Sequence, residues 1–264
     1  MLNICLCQLI KDEQRYIEEW IDYYINLGVS KFLLFEDWNS SSHANVLSKY
    51  GDKVKLQNIL DIATPERIRN IKETRQEVIW EYVYNNYKDK YDACLFVDVD
   101  EYISCNKNEF LEEIENIRNT DLKFIIYVWQ TMTASGHIKD PHPNQKYSIV
   151  KTYTDKMNHE FKDLSYNSKS LIFMNKLDSW EEFDSPHGPG PCMNSYTSKF
   201  KLNHYLTKSW EEYKNRIYVR GEPVNKYYSR RIEHFFEINN DLLSYKNKLL
   251  KECNGLISKH NVYE

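Results

Sequence analysis

The feature that most constrains this chain is the rhythm of its first 130 residues, where short, mainly apolar runs alternate with stretches of helical periodicity. The runs are residues 2–9 (LNICLCQL), 31–36 (KFLLFE), 53–59 (KVKLQNI), 93–97 (ACLFV) and 122–129 (LKFIIYVW). Between the first two, Tyr16, Ile17, Trp20, Ile21, Tyr24 and Ile25 fall on one face of a helix that Gly28 stops. A short helix is expected over His43–Tyr50. A long one is expected over Glu66–Tyr87, with Pro65 just ahead and a stripe of Ile68, Ile71, Val78, Ile79, Tyr82 and Val83. Phe110, Leu111, Ile114 and Ile117 mark another. Strands that are apolar throughout, separated by amphipathic helices, imply an α/β fold with a mostly parallel sheet covered on both faces. Such a sheet collects ligands at the carboxyl ends of its strands. Two acidic segments sit at such ends, Glu36-Asp37 and Asp98-Val99-Asp100.

After residue 130 the pattern loosens. Residues 135–195 hold most of the prolines, including those of His187-Gly188-Pro189-Gly190-Pro191, and read as loops and short strands that build a substrate face. Residues 200–206 (FKLNHYL) read as a strand, and a helix is expected over about 208–219. The Lys- and Asn-rich tail carries a helical stripe at Leu242, Leu243, Leu249 and Leu250. With no internal repeat and no linker, residues 1–222 form one expected domain, made of a half over 1–130 and a half over 131–222. Residues 223–264 are its helical C-terminal extension.

Composition narrows the function class. At 264 residues and 41% hydrophobic the chain can bury a sizeable core, and a net charge of −4 offers no basic excess for a nucleic-acid partner. The six cysteines make no CxxC pair and join no histidine at zinc-finger spacing, so free thiols in a reducing cytosol are expected. Lys11-Asp12-Glu13 interrupts the apolar N-terminus too early for a secretory leader, and no stretch reaches the length of a membrane span. The expected location is cytoplasmic, with any membrane contact peripheral, on the inner face.

Four segments carry candidate chemistry. Asp98 and Asp100, two carboxylates at i and i+2 past a buried strand, offer hard oxygens to one Mg²⁺ or Mn²⁺, or simply cap a solvated strand end. Asp37 would bond a ribose hydroxyl or a base edge, or close a turn. His204 is placed to complete a metal shell, or to sit in the core. Lys208 and Ser209, at the start of a helix, would hold a phosphate, or Thr207 or Ser209 would serve only as an N-cap. The loop Asp178–Asp184, with Trp180, and then His187, offers candidate bases in Glu181, Glu182 and Asp184, or a solvated acidic surface.

Taken in order, four blocks resemble glycosyltransferase family 92 and the related family-2-like bacterial group. Cys7–Glu13 with Ile17-Glu18-Glu19-Trp20 and Leu27-Gly28-Val29 is similar to that group's K-N-E, E-W and L-G-V opening, with Asp12 in place of the usual Asn. Phe35–Ser40 resembles its Y-D-N-x-S loop, and Phe96–Ile103 its D-x-D-E-F block. Asn203-His204-Tyr205 with Thr207-Lys208-Ser209, then Arg220-Gly221, resembles its final N-H-Y-x-x-K-S…G block. In the middle section only Lys169-Ser170 and His187 match.

The resemblance implies a GT-A-type (Rossmann-like) fold with an irregular acceptor-side region, a nucleotide-sugar donor and a divalent Mn²⁺ or Mg²⁺. Asp98 and Asp100 would hold the metal and diphosphate, His204 would be a further ligand, Lys208 would meet phosphate, and Glu13 and Asp37 would line the nucleotide pocket. It further implies a hexosyltransferase that moves sugar from a UDP-sugar to a hydroxyl of a glycan acceptor, with inversion, in bacterial surface polysaccharide synthesis. Inversion calls for a general base, for which Glu182 is the first candidate. Two rivals use the same residues: a metal-dependent phosphotransferase or hydrolase, disfavoured because the D-x-D follows a later strand, and a non-catalytic nucleotide- or carbohydrate-binding module.

Overall fold

The structure, a computed structural model, describes residues 2–38, 40–68, 75–143, 145–157, 168–183, 194–218, 234–249 and 251. The chain divides into two compact units, Met1–Trp129 with Phe161–Asn203, and Gln130–Glu160 with His204–Glu264.

The first unit follows the alternation read from the sequence. Strand β1 (Ile4–Ile10) leads to helix α1 (Ile17–Leu27), β2 (Lys31–Glu36), the single turn α2 (Ala44–Leu47) and β3 (Val54–Asn58). The expected long helix is helical at both described ends, α3 (Pro65–Ile68) and α4 (Arg75–Tyr87); Ile71 lies outside the described residues. Strand β4 (Ala93–Phe96), the short β5 (Glu101–Ile103) and helix α5 (Lys107–Arg118) follow. Then come β6 (Phe124–Thr131), which ends in the second unit, and β7 (Ser168–Ile172), β8 (Ser195–Thr197) and β9 (Leu202–His204). Among the described residues these strands form one sheet in the order β3-β2-β1-β4-β7-β6-β9-β5, with β8 beside β6. Pairs β1–β2, β1–β4, β2–β3 and β6–β8 are parallel, and β7 runs antiparallel to both β4 and β6. This is the α/β class with a mostly parallel, helix-flanked sheet that the sequence implies.

Alternation along β2 explains why its whole run is apolar. Phe32 packs edge-on against Trp20 of α1, its ring centroid 5.9 Å away, while Phe35 meets Tyr82 of α4 at 5.8 Å. A strand covered on both faces has no polar side to show. Cys5, Cys7, Leu33, Ile79, Val83, Phe96 and Phe183 belong to the core on the α4 side. The thiols of Cys5, Cys7, Cys94 and Cys105 are free, and Cys192 and Cys253 lie outside the described residues. Gly28 ends α1 at φ 119°, and a Cβ there would come within 3.1 Å of Leu111 on α5, so both its conformation and its lack of a side chain are used.

Strands β5 and β7 were not legible from periodicity. The segment Ser168-Lys169-Ser170-Leu171-Ile172 is buried along its whole length although its first three residues are polar. It fills the position between β4 and β6, where pairing on both edges satisfies its backbone.

The second unit holds the single turn α6 (Ile149–Thr152) and helix α7 (Trp210–Tyr218). Its core gathers Trp210, Tyr213, Phe235, Phe236, Leu242 and Leu249. Two members of the predicted tail stripe are thus buried; Leu243 is exposed and Leu250 lies outside the described residues. No helix among the described residues is long and apolar enough to cross a membrane.

Candidate functional site at the carboxyl ends of the parallel strands

In the first unit, the loops that leave β1 and β2 are tied to each other by polar contacts. Asp12 sits at φ 54°, a left-handed conformation that Asp and Asn adopt more readily than other side chains. This accounts physically for an Asp standing where the resembling family has Asn. Its Oδ1 accepts the Ser41 N–H at 2.9 Å, and its own N–H donates to Ser40 Oγ at 3.1 Å. Next to it, the Glu13 N–H donates to Nε2 of His43 at 3.0 Å. That bond leaves the proton on Nδ1, which donates to Glu36 Oε1 at 3.0 Å. His43 is fully buried. Burial pushes its pKa down, and the Glu36 carboxylate opposes this only in part.

Asp37, one residue past β2, is also buried. Its Oδ2 is paired with the guanidinium of Arg75 at the start of α4, and Arg75 in turn lies over the ring of Trp38, 6.0 Å from its centroid. Among the described residues, Asp37 Oδ1 is buried with no hydrogen-bond partner. A buried acceptor of this kind costs free energy until a donor reaches it.

The D-x-D segment follows β4. The pairings of Cys7 with Phe96 and of Phe96 with Ser170 bring β1 and β7 alongside it. Gln8 Nε2 donates to Asp98 Oδ1 at 2.6 Å, and Lys169 Nζ lies 2.9 Å from Asp98 Oδ2. The turn is closed by the Asp98 N–H, which donates to Glu101 Oε2 at 2.8 Å, and by the Glu101 N–H, which donates to the Asp98 carbonyl at 3.0 Å. Burial pushes the Glu101 carboxyl well above its ordinary pKa; Lys169 pulls it down, while Asp98 and Asp100 push it further up. For Lys169 burial acts downward, yet Asp98, Glu101 and Asp100 outweigh it and the net shift is upward. The ammonium is therefore held charged inside the protein by carboxylates.

The chemistry of this donor set suits Mg²⁺ or Mn²⁺. Asp98 and Asp100 present hard oxygens, and the Asp98 side chain remains 31% exposed. Among the described residues no group of three His, Cys, Asp or Glu side chains is placed to hold a metal. Two protein oxygens with the rest from phosphate and water is the usual arrangement for Mg²⁺.

Three of the other predicted residues fall in the second unit. His204 and Lys208 belong to the second unit, both buried, and Lys208 takes φ 50°, an uncommon conformation for a side chain of its size. Ser209 is the N-cap: its Oγ accepts the Glu212 N–H at 3.2 Å and donates to Glu212 Oε2 at 3.0 Å. The other donors at the start of α7 are also engaged. Ser209 N–H donates to Tyr153 Oη, Trp210 N–H to the His137 carbonyl and Glu211 N–H to the Ile138 carbonyl. The phosphate role drawn for Ser209 thus finds no open backbone donor there.

Glu182 is placed apart from Asp98. It bonds Lys123 at 2.6 Å and accepts the Asp178 N–H at 2.6 Å, which closes its own loop. Lys123 is joined to Phe173, just past β7, by a backbone bond of 3.0 Å. Lys169 on β7 and Phe173 just past it stand four residues apart, about 13 Å at the rise of a strand. Glu182 is thus engaged with Lys123 beside the amino end of β6, while Phe183 next to it packs against Phe96 of β4 with ring centroids 5.1 Å apart. Its pKa is lowered, because its bonds to Lys123 and to the backbone N–H groups outweigh the upward effect of burial. Glu181 beside it is exposed; Asp184, His187, Arg220 and Gly221 lie outside the described residues.

Gln8, His43, Arg75 and Lys169 received no role from the sequence. Each acquires one through a partner distant in the chain, 90 residues away for Gln8 and 38 for Arg75. The family-like segments Cys7–Glu13 and Lys169-Ser170 include Gln8 and Lys169 but gave neither a role.

Comparison with known proteins adds a lineage to this geometry. Residues 1–247 match the family model described as Glycosyltransferase family 92. A family 92 protein of Oryza sativa subsp. japonica is 20% identical over 219 residues, which is 81% of this chain and 35% of the rice protein. The chain thus spans about a third of that relative's length. Among solved structures, S. aureus TarS 1–349 covers 92% of this chain and 72% of its own at 11% identity, with a TM-score of 0.46. Glucosyl-3-phosphoglycerate synthase from Mycobacterium tuberculosis, in complex with Mn²⁺, uridine diphosphate and phosphoglyceric acid, covers 51% of this chain and 44% of its own at 13% identity, with a TM-score of 0.33.

Proposed function

The chain belongs to glycosyltransferase family 92, and on that premise we propose that it moves a sugar from a nucleotide-sugar to a hydroxyl group of a glycan acceptor. UDP is the proposed nucleotide, inversion the proposed stereochemistry, and a bacterial surface polysaccharide, built at the inner face of the membrane, the proposed context. The observation that carries the reading is the convergence of Asp98, Lys169 and Gln8 at the carboxyl end of β4, with Asp37 at the end of β2 in the same sheet.

In this reading Asp37 Oδ1 receives a donor from the nucleoside, and the pair with Arg75 keeps its carboxylate aimed. Glu13 and Asp12 shape the same pocket through the His43 and Ser41 contacts. Asp98 and Asp100 are the residues that would hold Mn²⁺ or Mg²⁺, which when bound neutralises charge on the departing diphosphate. His204 is proposed as a further metal ligand and Lys208 as a phosphate contact. The proton of the acceptor hydroxyl must pass to a base; Glu182 is committed to Lys123, so Asp184 and Glu181 remain the proposed carboxylates on that loop.

The test is calorimetric titration of the protein with UDP, GDP and CMP, with and without Mn²⁺, in wild type and Asp100→Ala. One nucleotide should bind in a metal-dependent manner, and the substitution should weaken it by on the order of a hundredfold. Folded wild-type protein that binds none of the three under either condition would sink the proposal.

A further inference from the structure

Lys169 is an unusual partner for a carboxylate expected to hold a metal. Its side chain is 4% exposed, on a strand with neighbours on both edges, and its ammonium lies 2.9 Å from Asp98 Oδ2. Burying an ammonium is costly unless it is paired, and a neutral amide would orient the carboxylate without that cost. Gln8 already does so on the other oxygen, at 2.6 Å. What Lys169 adds over a second amide is its charge.

That charge sets a condition on any cation that joins Asp98. Lys169 offsets the negative charge that Asp98 offers, and a divalent ion at Asp98 would sit close to a fixed positive charge. The diphosphate of a donor carries the negative charge that restores the balance. We propose that Lys169 is a positioning residue, a resident counter-ion that fixes Asp98 and makes divalent-metal binding by the free protein weak, so that metal and nucleotide diphosphate bind together. The inference rests on the reading of Asp98 and Asp100 as the donor site.

The test measures free Mn²⁺ by its paramagnetic resonance signal and UDP binding by calorimetry, in wild type, Lys169→Met, Lys169→Arg and Asp100→Ala. In wild type, UDP should tighten Mn²⁺ by about tenfold or more, and by linkage Mn²⁺ should tighten UDP equally. Equal Mn²⁺ affinity with and without UDP overturns the proposal and needs no variant. Lys169→Met should bind Mn²⁺ alone about tenfold more tightly and bind UDP in the presence of Mn²⁺ about tenfold more weakly, with Lys169→Arg close to wild type. A structural role alone would not strengthen metal binding. Unchanged or weaker Mn²⁺ binding by a Lys169→Met protein that melts cooperatively overturns the proposal, while the donor site stands if Asp100→Ala still abolishes metal-dependent UDP binding. Should Asp100→Ala leave both affinities unchanged, the donor-site reading fails and takes the Lys169 role with it.

Discussion

The two ends of β7 carry the same chemistry for different purposes. At one end Lys169 meets Asp98 at 2.9 Å, and at the other Lys123, held by the backbone just past the strand, meets Glu182 at 2.6 Å. The Asp98 end lies beside the carboxyl ends of β1 and β4, where backbone geometry and neighbouring loops converge and further acids, Asp100 and Glu101, crowd in. The Glu182 end lies beside the amino end of β6, and there the pair is closed by the Asp178 N–H, which Glu182 accepts. An acid-rich segment is therefore not a site by composition. Its place along the parallel strands decides whether a ligand can meet several loops at once.

The largest effect expected separates these ends directly. Asp98→Asn should lower sugar transfer by about a hundredfold or more, because it removes a charge on which donor binding depends. Glu182→Gln should leave transfer within about twofold and cost about 1 kcal/mol of stability at most, as partly exposed ion pairs do. A coupled transfer assay and thermal melts on both variants check this. Equal loss of transfer in the two would break the comparison and return Glu182 to the chemistry.

A middle-sized effect probes how the carboxyl-end loops are held. Asp12→Ala removes the acceptor for Ser41 N–H and puts a β-carbon without local hydrogen bonding at φ 54°, so about 1–3 kcal/mol should be lost. Asp12→Asn keeps both the acceptor and the tolerance for that conformation and should melt within about 0.5 kcal/mol of wild type. Denaturant titrations of the two variants make the measurement.

The smallest effect is a pH dependence. His43 has its folded pKa lowered by burial, so the folded state binds fewer protons there than the unfolded state. Its contribution to stability is present above the unfolded value of about 6.5 and is lost as pH falls through that value toward the folded one. Protonation would also set a second N–H against the Glu13 N–H that Nε2 now accepts. Melting temperature should fall between pH 7.5 and 5.5 more steeply in wild type than in His43→Gln. Parallel slopes would show that the latch between the β1 and β2 loops is not the titrating element.

Much of the scaffold was legible because its signal is local. The runs at residues 31–36 and 93–97 became β2 and β4 within a residue, and Gly28 ended α1 where expected. A strand buried on both faces must be apolar throughout, and a helix must end where a left-handed residue turns the chain; both facts are written in a few consecutive residues. The acids at the ends of β2 and β4 were found for the same reason. The loop carrying Glu182 was read as a source of bases because its composition suits one, and nothing local says which end of the sheet it occupies.

By itself, then, the sequence determined the alternation of strands and helices and placed Asp37, Asp98 and Asp100 at strand ends. The tertiary structure alone decided that a run of Ser, Lys and Ser would be a buried strand, that Lys169 and Gln8 would share the two oxygens of Asp98, and that Glu182 would be spent on Lys123. Apolar burial follows from pattern, since any apolar neighbour will serve. A buried charge requires one particular partner, and only the folded chain brings that partner within 3 Å.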